Sequence, residues 1–266
     1  MKRLILSIAT LLPALSFYSC QKTVNLDLNT IPPQIVIQGE VTNAAGPYSV
    51  TINQSVNFYA DNSFPAVSGA IVKISDNQGV TDSLTETTPG TYTTHVLQGK
   101  PGNTYTLTVK ALQANYSGVS VMPQPVSLDS ISFQTAKLFG SNQITAIANF
   151  QDPAGVKNYY QFFETINGVP FTKDIFIFSD RLSDGRYINN NLRMDSAYLQ
   201  RFDELEVRMN CIDVNIYNYF NQLDQSSGGG VFNTTASPAN PVSNINNGAY
   251  GYFSAHTTQT QKVSVQ

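Results

Sequence analysis

The chain has 266 residues, of which 41% are hydrophobic and 12% charged, about half the charge of an ordinary globular domain. Lys and Arg total 15 against 18 Asp and Glu, a net charge of −3, and past the extreme N-terminus no basic run could follow a phosphate backbone. These values exclude an acidic disordered tail, a coiled coil and nucleic-acid binding. Two Cys and two His are too few for a disulfide scaffold or a His-rich metal centre.

The N-terminus has the pattern of a secretory signal. Lys2 and Arg3 precede an apolar run from Leu4 to Ala14, which has the length of a signal-peptide core. The following Ser19 and Cys20 resemble a bacterial lipobox, and this resemblance implies that residues 1–19 are removed and that Cys20 carries the lipid. We therefore expect an outer-membrane lipid anchor, with the periplasmic or surface face left open. The alternative is an ordinary secreted protein in which Cys20 lies beside the cleavage site by chance.

Residues 20–33 have no helical apolar stripe and end on two prolines, which predicts an extended tether. After it, Ile35, Ile37 and Val41 alternate with polar residues, as in a strand with one buried face. Short strands separated by turn residues predict an immunoglobulin-like β-sandwich over residues 34–123. The predicted strands of this module are 35–41, 48–58, 70–74, 81–85, 90–96, 103–112 and 116–122.

Pro123 and Pro125 predict a rigid connector, followed by a second, antiparallel β-rich domain over residues 124–266. Asp213 is positioned to cap one short helix near 214–225, the only helix expected in the mature chain. Cys211 lies on the apolar face of the strand before it and is expected in the core. In the tail, glycines among aromatics predict a strand that passes close to other backbone. The strands predicted here are 126–133, 143–151, 159–166, 174–179 and 204–212.

Several segments, taken in order, resemble a known family. They are the lipobox, Ile35–Val41, Tyr48–Val50, Cys211–Asp213 with the Tyr-rich helix, and Ser243–Ile245 leading to Gly251–Phe253. Their order and spacing resemble the family called domain of unknown function 4249, over nearly the whole chain. The resemblance implies a Bacteroidota envelope lipoprotein, with a TonB-dependent outer-membrane receptor as a frequent genetic neighbour. It implies no catalytic residues, because no activity is established for that family.

The sequence contains few residues or motifs typical of a catalytic or metal-binding site. His95 is expected at the surface, and His256 has no Cys or acid near it in the sequence, so we expect no metal site and no cofactor. We find no nucleophile elbow, Walker loop, zincin helix or EF-hand, and we therefore expect no enzyme and no catalytic residues. The best acidic cluster, with arginines among its members, predicts a solvated, ion-paired loop. Its alternatives are a glycoside hydrolase or a calcium site, and its members are Asp174, Asp180, Arg181, Asp184 and Arg186.

The 14 Tyr and 15 Phe without any Trp either fill two β cores or form a recognition surface. In residues 158–163 the alternation places Tyr160 and Phe162 on one face, with Tyr159, Gln161 and Phe163 on the other. We expect a non-enzymatic, membrane-anchored lipoprotein that assists a TonB-dependent receptor in nutrient uptake. The alternative is a free-standing module that binds a glycan or a peptide, with its ligand-binding residues unknown.

Overall fold

A computed structural model of the chain describes residues 32–57, 63–138, 141–192, 199–226 and 240–266. Pro33–Gln266 form one compact unit. The signal segment, Cys20 and nearly all of the tether lie outside the described residues. No helix in the described ranges is long and apolar enough to cross a membrane.

The fold is mainly β, as predicted. Its strands are β1 (Ile35–Thr42), β2 (Ser49–Gln54), β3 (Ile71–Asp76), β4 (Thr81–Ser83), β5 (Thr85–Thr88), β6 (Thr91–Thr93), β7 (Thr104–Ala111), β8 (Ala114–Val121), β9 (Ser130–Leu138), β10 (Ser141–Gln151), β11 (Tyr159–Ile166), β12 (Val169–Ser179), β13 (Tyr187–Leu192), β14 (Glu204–Ile212) and β15 (Tyr250–Ser264). A single 3-10 turn (Asp180–Leu182) follows β12, and helix α1 (Val214–Ser226) follows β14.

The strands form three sheets. The largest has eight strands in the order β12-β11-β14-β15-β1-β2-β6-β5, and the two smaller sheets have the orders β4-β3-β7-β8 and β13-β10-β9. Strands β1 and β2 pair antiparallel. Strand β15 pairs antiparallel with β14 and parallel with β1, so it is a central strand of the largest sheet.

The first core lies between one half of the large sheet and the four-stranded sheet, which gives the predicted sandwich-like arrangement. The alternation predicted for β1 is confirmed, because Ile37 and Val41 are buried while Gln38 is exposed. Tyr105 and Leu107 of β7 face the same cluster from the opposite sheet. The polar faces of these strands are left to solvent, as a half-buried antiparallel sheet requires.

The second core lies between the other half of the large sheet and the three-stranded sheet. Its centre is aromatic, with ring centroids of Phe150 and Tyr160 4.7 Å apart. Cys211 is buried in this core as a free thiol, as predicted from its place in the alternation.

Strand β15 belongs to both cores. Phe253 and Ala255 lie in the first core, whereas Val263 packs against the second. The predicted domain boundary near residue 123 falls between the two cores. The last strand belongs to the second predicted domain, residues 124–266. Phe253 and Ala255 of this strand nevertheless pack in the first core, with residues 34–123.

Helix α1 begins where the sequence predicts. Asp213 Oδ1 accepts hydrogen bonds from the backbone N–H groups of Asn215 (2.8 Å) and Ile216 (3.1 Å), which satisfies two of the free donors at the helix start. The helix packs on the outer face of the large sheet, where the rings of Tyr219 and Phe220 both lie 5.1 Å from that of Tyr252.

Candidate functional site

A cleft of about 700 Å³ lies beside the N-terminal half of α1. Its volume is in the range of pockets that hold small ligands. Three segments line it: the loop that precedes β11, the turn that follows β12, and the first turns of α1. The residues that give it its chemistry are Lys157, Tyr159, Asp180, Arg181, Asp184 and Tyr217.

Two tyrosines form the aromatic wall of the cleft. The rings of Tyr159, the first residue of β11, and Tyr217, on α1, have centroids 5.0 Å apart and are inclined at 39°. Alternation along β11 explains this placement, because Tyr160 and Phe162 are buried in the second core while Tyr159 faces the helix. Tyr160 and Phe162 therefore lie in the core and Tyr159 in the cleft, while Phe163 is exposed under Arg208.

Three carboxylates meet at one end of the cleft. Oxygens of Asp152, Asp180 and Asp184 all lie within 4.8 Å of one another, and Asp152 and Asp180 are buried. This trio differs from the predicted one, because Asp174 is exposed on β12 and Asp152 takes its place. Asp152 directly follows β10 in the three-stranded sheet, so only tertiary structure brings it to the turn at residues 180–184.

Each carboxylate holds a loop in place. Asp180 Oδ2 accepts from the backbone N–H of Asn158 (2.8 Å), and Asp184 Oδ1 accepts from that of Gly155 (2.8 Å). Asp152 accepts from the Tyr160 hydroxyl (2.5 Å) and from the Gly185 N–H (3.0 Å). Together these bonds join the loop before β11 to the turn after β12.

Burial and the acidic surroundings shift the ionisation of Asp180 and of Tyr160. Burial raises the pKa of Asp180, and the charges of Asp152 and Asp184 raise it further. Burial and the bond to Asp152 raise the pKa of Tyr160, so its phenol stays protonated and remains a donor. Three convergent carboxylates are a donor set of the kind that a hard cation such as Ca²⁺ uses, although several of their oxygens are already occupied by N–H and O–H groups.

The prediction that arginines pair with these carboxylates is wrong. In the described ranges, the ion pairs join Lys262 to Glu204 and Glu206 at 3.9 and 2.9 Å. Arg181 and Arg186 are exposed, and the acids accept hydrogen bonds from backbone N–H groups instead. These amides belong to Gly155 and Asn158 in the loop before β11 and to Gly185 in the turn after β12.

The two histidines have opposite environments. His95 is exposed, as predicted, and its Nε2 lies 2.8 Å from the Thr85 hydroxyl. His256 is buried in β15 with Nδ1 3.0 Å from Ser254 Oγ. Burial, with the nearby Arg208 charge, lowers the pKa of His256 to about 4, so this ring is neutral. For Cys211, burial raises the pKa, which is the opposite of what a nucleophilic thiolate needs.

A comparison with family models assigns the chain. The model described as Domain of unknown function (DUF4249) matches residues 21–262. The chain belongs to the DUF4249 family. Among curated proteins, a search finds no match.

Among the segments by which the sequence resembles DUF4249, those within the described residues lie in or near strand β15, and the lipobox lies outside the described residues. Strand β1 pairs with β15 along its length, and the Asn244 side chain brackets the backbone of Phe253 with bonds of 2.7 and 2.9 Å. Asp213 links α1 to β8 near the same strand. In this member of DUF4249, these segments therefore build the scaffold, and the cleft lies at its edge.

Two residues of this site, Asp152 in the acidic trio and Tyr217 in the cleft, could not be assigned from the sequence. Asp152 carries no local signal beyond its place after a strand, and Tyr217 is one of several aromatics on an amphipathic helix. A signal did exist for Tyr159, since alternation placed it opposite the buried face of β11. Cys20, the one site residue assigned from sequence, lies outside the described residues.

Proposed function

We propose that this protein is a non-enzymatic lipoprotein of the cell envelope, anchored in the outer membrane through Cys20, that assists a TonB-dependent receptor in nutrient uptake. The observation that carries the proposal is the position of Cys20, directly after an apolar signal segment. The compact unit begins at Pro33, so the anchor point and the folded body are separated along the chain. The family resemblance supplies the receptor as the expected neighbour.

The lipid anchor provides the mechanism by which the protein associates with a receptor. Three acyl chains hold a protein in a bilayer almost irreversibly, because each buried methylene contributes about 0.8 kcal/mol. Confinement to the plane of the membrane raises the concentration of the protein around any receptor in the same membrane. Modest contacts between the folded body and the receptor then suffice for association.

The hydrogen bonds of the acidic trio support a non-catalytic role. Asp180 is buried and holds Asn158, while Asp152 is held by Tyr160 and Gly185. These bonds give the carboxylates a structural role, because they hold two loops together. Exposed Asp184 is the member that can be changed with least effect on the fold, so D184N is the variant with which to test for hydrolysis.

The test is a cross-linked pull-down of the tagged protein from its native outer membrane, with C20A as the control. We expect one TonB-dependent receptor to be recovered with the wild type and lost with C20A. Radiolabelled fatty acid should label the wild type alone. Recovery of no receptor from wild-type membranes, or equal recovery with C20A, would contradict the proposal.

A second candidate function is a free-standing glycan- or peptide-binding module, and one observation favours it. The cleft between β11 and α1 combines an aromatic wall with fixed polar groups, which is the usual composition of a small-ligand site. This function needs no receptor, and direct binding of a soluble ligand by the purified protein would distinguish it.

A further inference from the structure

We infer that the cleft lined by Tyr159 and Tyr217 is a carbohydrate site that binds one pyranose ring. The inference rests on the binding role proposed above and assigns it a place and a ligand class. A pyranose has one or two faces of C–H groups and a rim of hydroxyls that both donate and accept hydrogen bonds. A matching site therefore needs an aromatic surface and fixed polar groups of both kinds beside it.

The tyrosine pair supplies the aromatic surface. Both rings are half-buried, so each is held by its neighbours and still presents area to the cleft. Their centroids lie 5.0 Å apart, and the pair is anchored to two different elements, β11 and α1. The aromatic surface is thus ordered before a ligand arrives, which reduces the entropy lost on binding.

The carboxylates supply fixed acceptors. Asp180 uses Oδ2 to hold Asn158, and Asp184 uses Oδ1 to hold Gly155. Asp184 is exposed, and its other oxygen can accept from a ligand hydroxyl. Because the bond to the loop fixes the rotamer of each acid, neither acid must be ordered when the sugar binds.

The donors in the cleft are side chains rather than backbone. Lys157, Arg181 and Asn218 line the same cleft, so two bases offset two acids and the lining has no strong charge of either sign. A neutral ligand rich in hydroxyls fits this balance better than an ion.

The same geometry disfavours a peptide bound as an added strand, which needs free backbone groups at the edge of a sheet. The N–H groups of Gly155 and Asn158, which border the cleft, already bond to Asp184 and Asp180. The cleft therefore offers hydroxyl-binding side chains and few free backbone donors.

The test uses saturation-transfer NMR on the purified folded protein, with the methyl pyranosides of glucose, galactose, mannose and xylose at millimolar concentration as probes. For at least one sugar, we expect saturation of its C–H protons and a shift of the Tyr159 and Tyr217 ring signals. Y217A should weaken binding about tenfold or more, Y217F should keep most of it, and D184N should weaken it severalfold.

Tyr187 provides the matched control, because it is 51% exposed and lies outside the cleft. Y187A should bind like the wild type. Because D184N alters an exposed side chain, it tests the site even if Y217A fails to fold. The inference is overturned if no probe shows saturation, or if Y217A and D184N bind as the wild type does. A receptor pull-down with D184N distinguishes the two proposals. If D184N loses sugar binding but still recovers the receptor, the sugar site and receptor association are independent.

Discussion

The hydroxyl of Ser120 donates a hydrogen bond to Oδ2 of Asp213, 93 positions later in the chain. The same Ser120 oxygen accepts from the backbone N–H of Ala255 at 2.8 Å. One buried hydroxyl thus connects β8, the cap of α1 and the central strand β15. Asp213 therefore has two roles, since its other oxygen caps the helix.

We expect S120A to lower the free energy of unfolding by about 1–3 kcal/mol, because the buried Ala255 N–H is left without a partner. Chemical denaturation followed by circular dichroism measures this loss. Exposed Ser127 is the matched control, and S127A should unfold like the wild type. Equal stability of S120A and S127A would show that the connection contributes nothing.

Gly251 and Gly248 allow a matched test of the approach between β15 and β1. Both have positive φ, +91° and +74°, but a Cβ on Gly251 would clash with the backbone carbonyl of Ile37, whereas nothing lies within 4 Å of one on Gly248. G248A should therefore cost only about 1 kcal/mol of backbone strain, whereas G251A should separate two paired strands and prevent folding. Thermal unfolding compares them, and similar melting temperatures for the two variants would refute the account.

Glu164 makes stability fall as pH rises. Both of its oxygens are buried without hydrogen-bond partners. Burial, and to a lesser degree the Asp174 charge, raise its pKa from 4.5 to about 8. The unfolded chain ionises first, so the contribution of Glu164 to stability is greatest below pH 4.5 and falls by about 1.4 kcal/mol for each pH unit up to about 8.

E164Q should remove this pH dependence. The free energy of unfolding of E164Q should therefore exceed that of the wild type by an amount that grows from pH 5 to pH 8. Denaturation midpoints at several pH values measure the effect. Glu204, whose side chain is 66% exposed, is the control, and E204Q should keep the wild-type slope. A parallel slope in E164Q would mean that Glu164 does not titrate as inferred.

His256 lowers the stability of the fold at acidic pH. Its pKa lies near 4 in the folded protein against 6.5 for a free histidine, because burial and then Arg208 disfavour the charged ring. Protons therefore bind the unfolded chain first, and stability is lost as pH falls from about 6.5 to about 4.

H256Q should lessen this acid sensitivity even if it lowers stability at pH 7, and melting temperatures at pH 7 and pH 4.5 give the comparison. Exposed His95 is the matched residue, and H95Q should retain the acid sensitivity of the wild type. Equal acid responses in the two variants would exclude His256 as its source.

The sequence predicts most of the strands because their alternation is local. Burial in β1 follows the predicted faces, and Asp213 caps α1 as expected. In β14 the alternation holds from Leu205 to Met209, but Asn210 is buried although its face is polar. Strand β13 is missed because its sequence, Tyr-Ile-Asn-Asn-Asn-Leu, has little β-propensity and is ordered by pairing with β10. Strand β15 extends to Ser264 through a polar segment, because β14 pairs with residues 257–264.

The candidate site is less predictable than the fold. Its acids come from the end of β10 and from a turn after β12, and its tyrosines from β11 and α1. The spacing of these residues along the chain does not indicate that the four segments lie together in the fold. The sequence therefore identified Asp180 and Asp184 as a pair but supplied the wrong third acid.

The pairing of β15 with β1 has a consequence for folding kinetics. Val36 lies opposite Tyr250, so residues roughly 200 positions apart must meet before the first core is complete. Such nonlocal contacts slow folding, because the entropy of closing a large loop is lost before the contacts form. Without β15 both cores are incomplete, and β1 and β14 each expose an unpaired strand edge that favours aggregation. We expect such intermediates to depend on chaperones until the last strand is inserted.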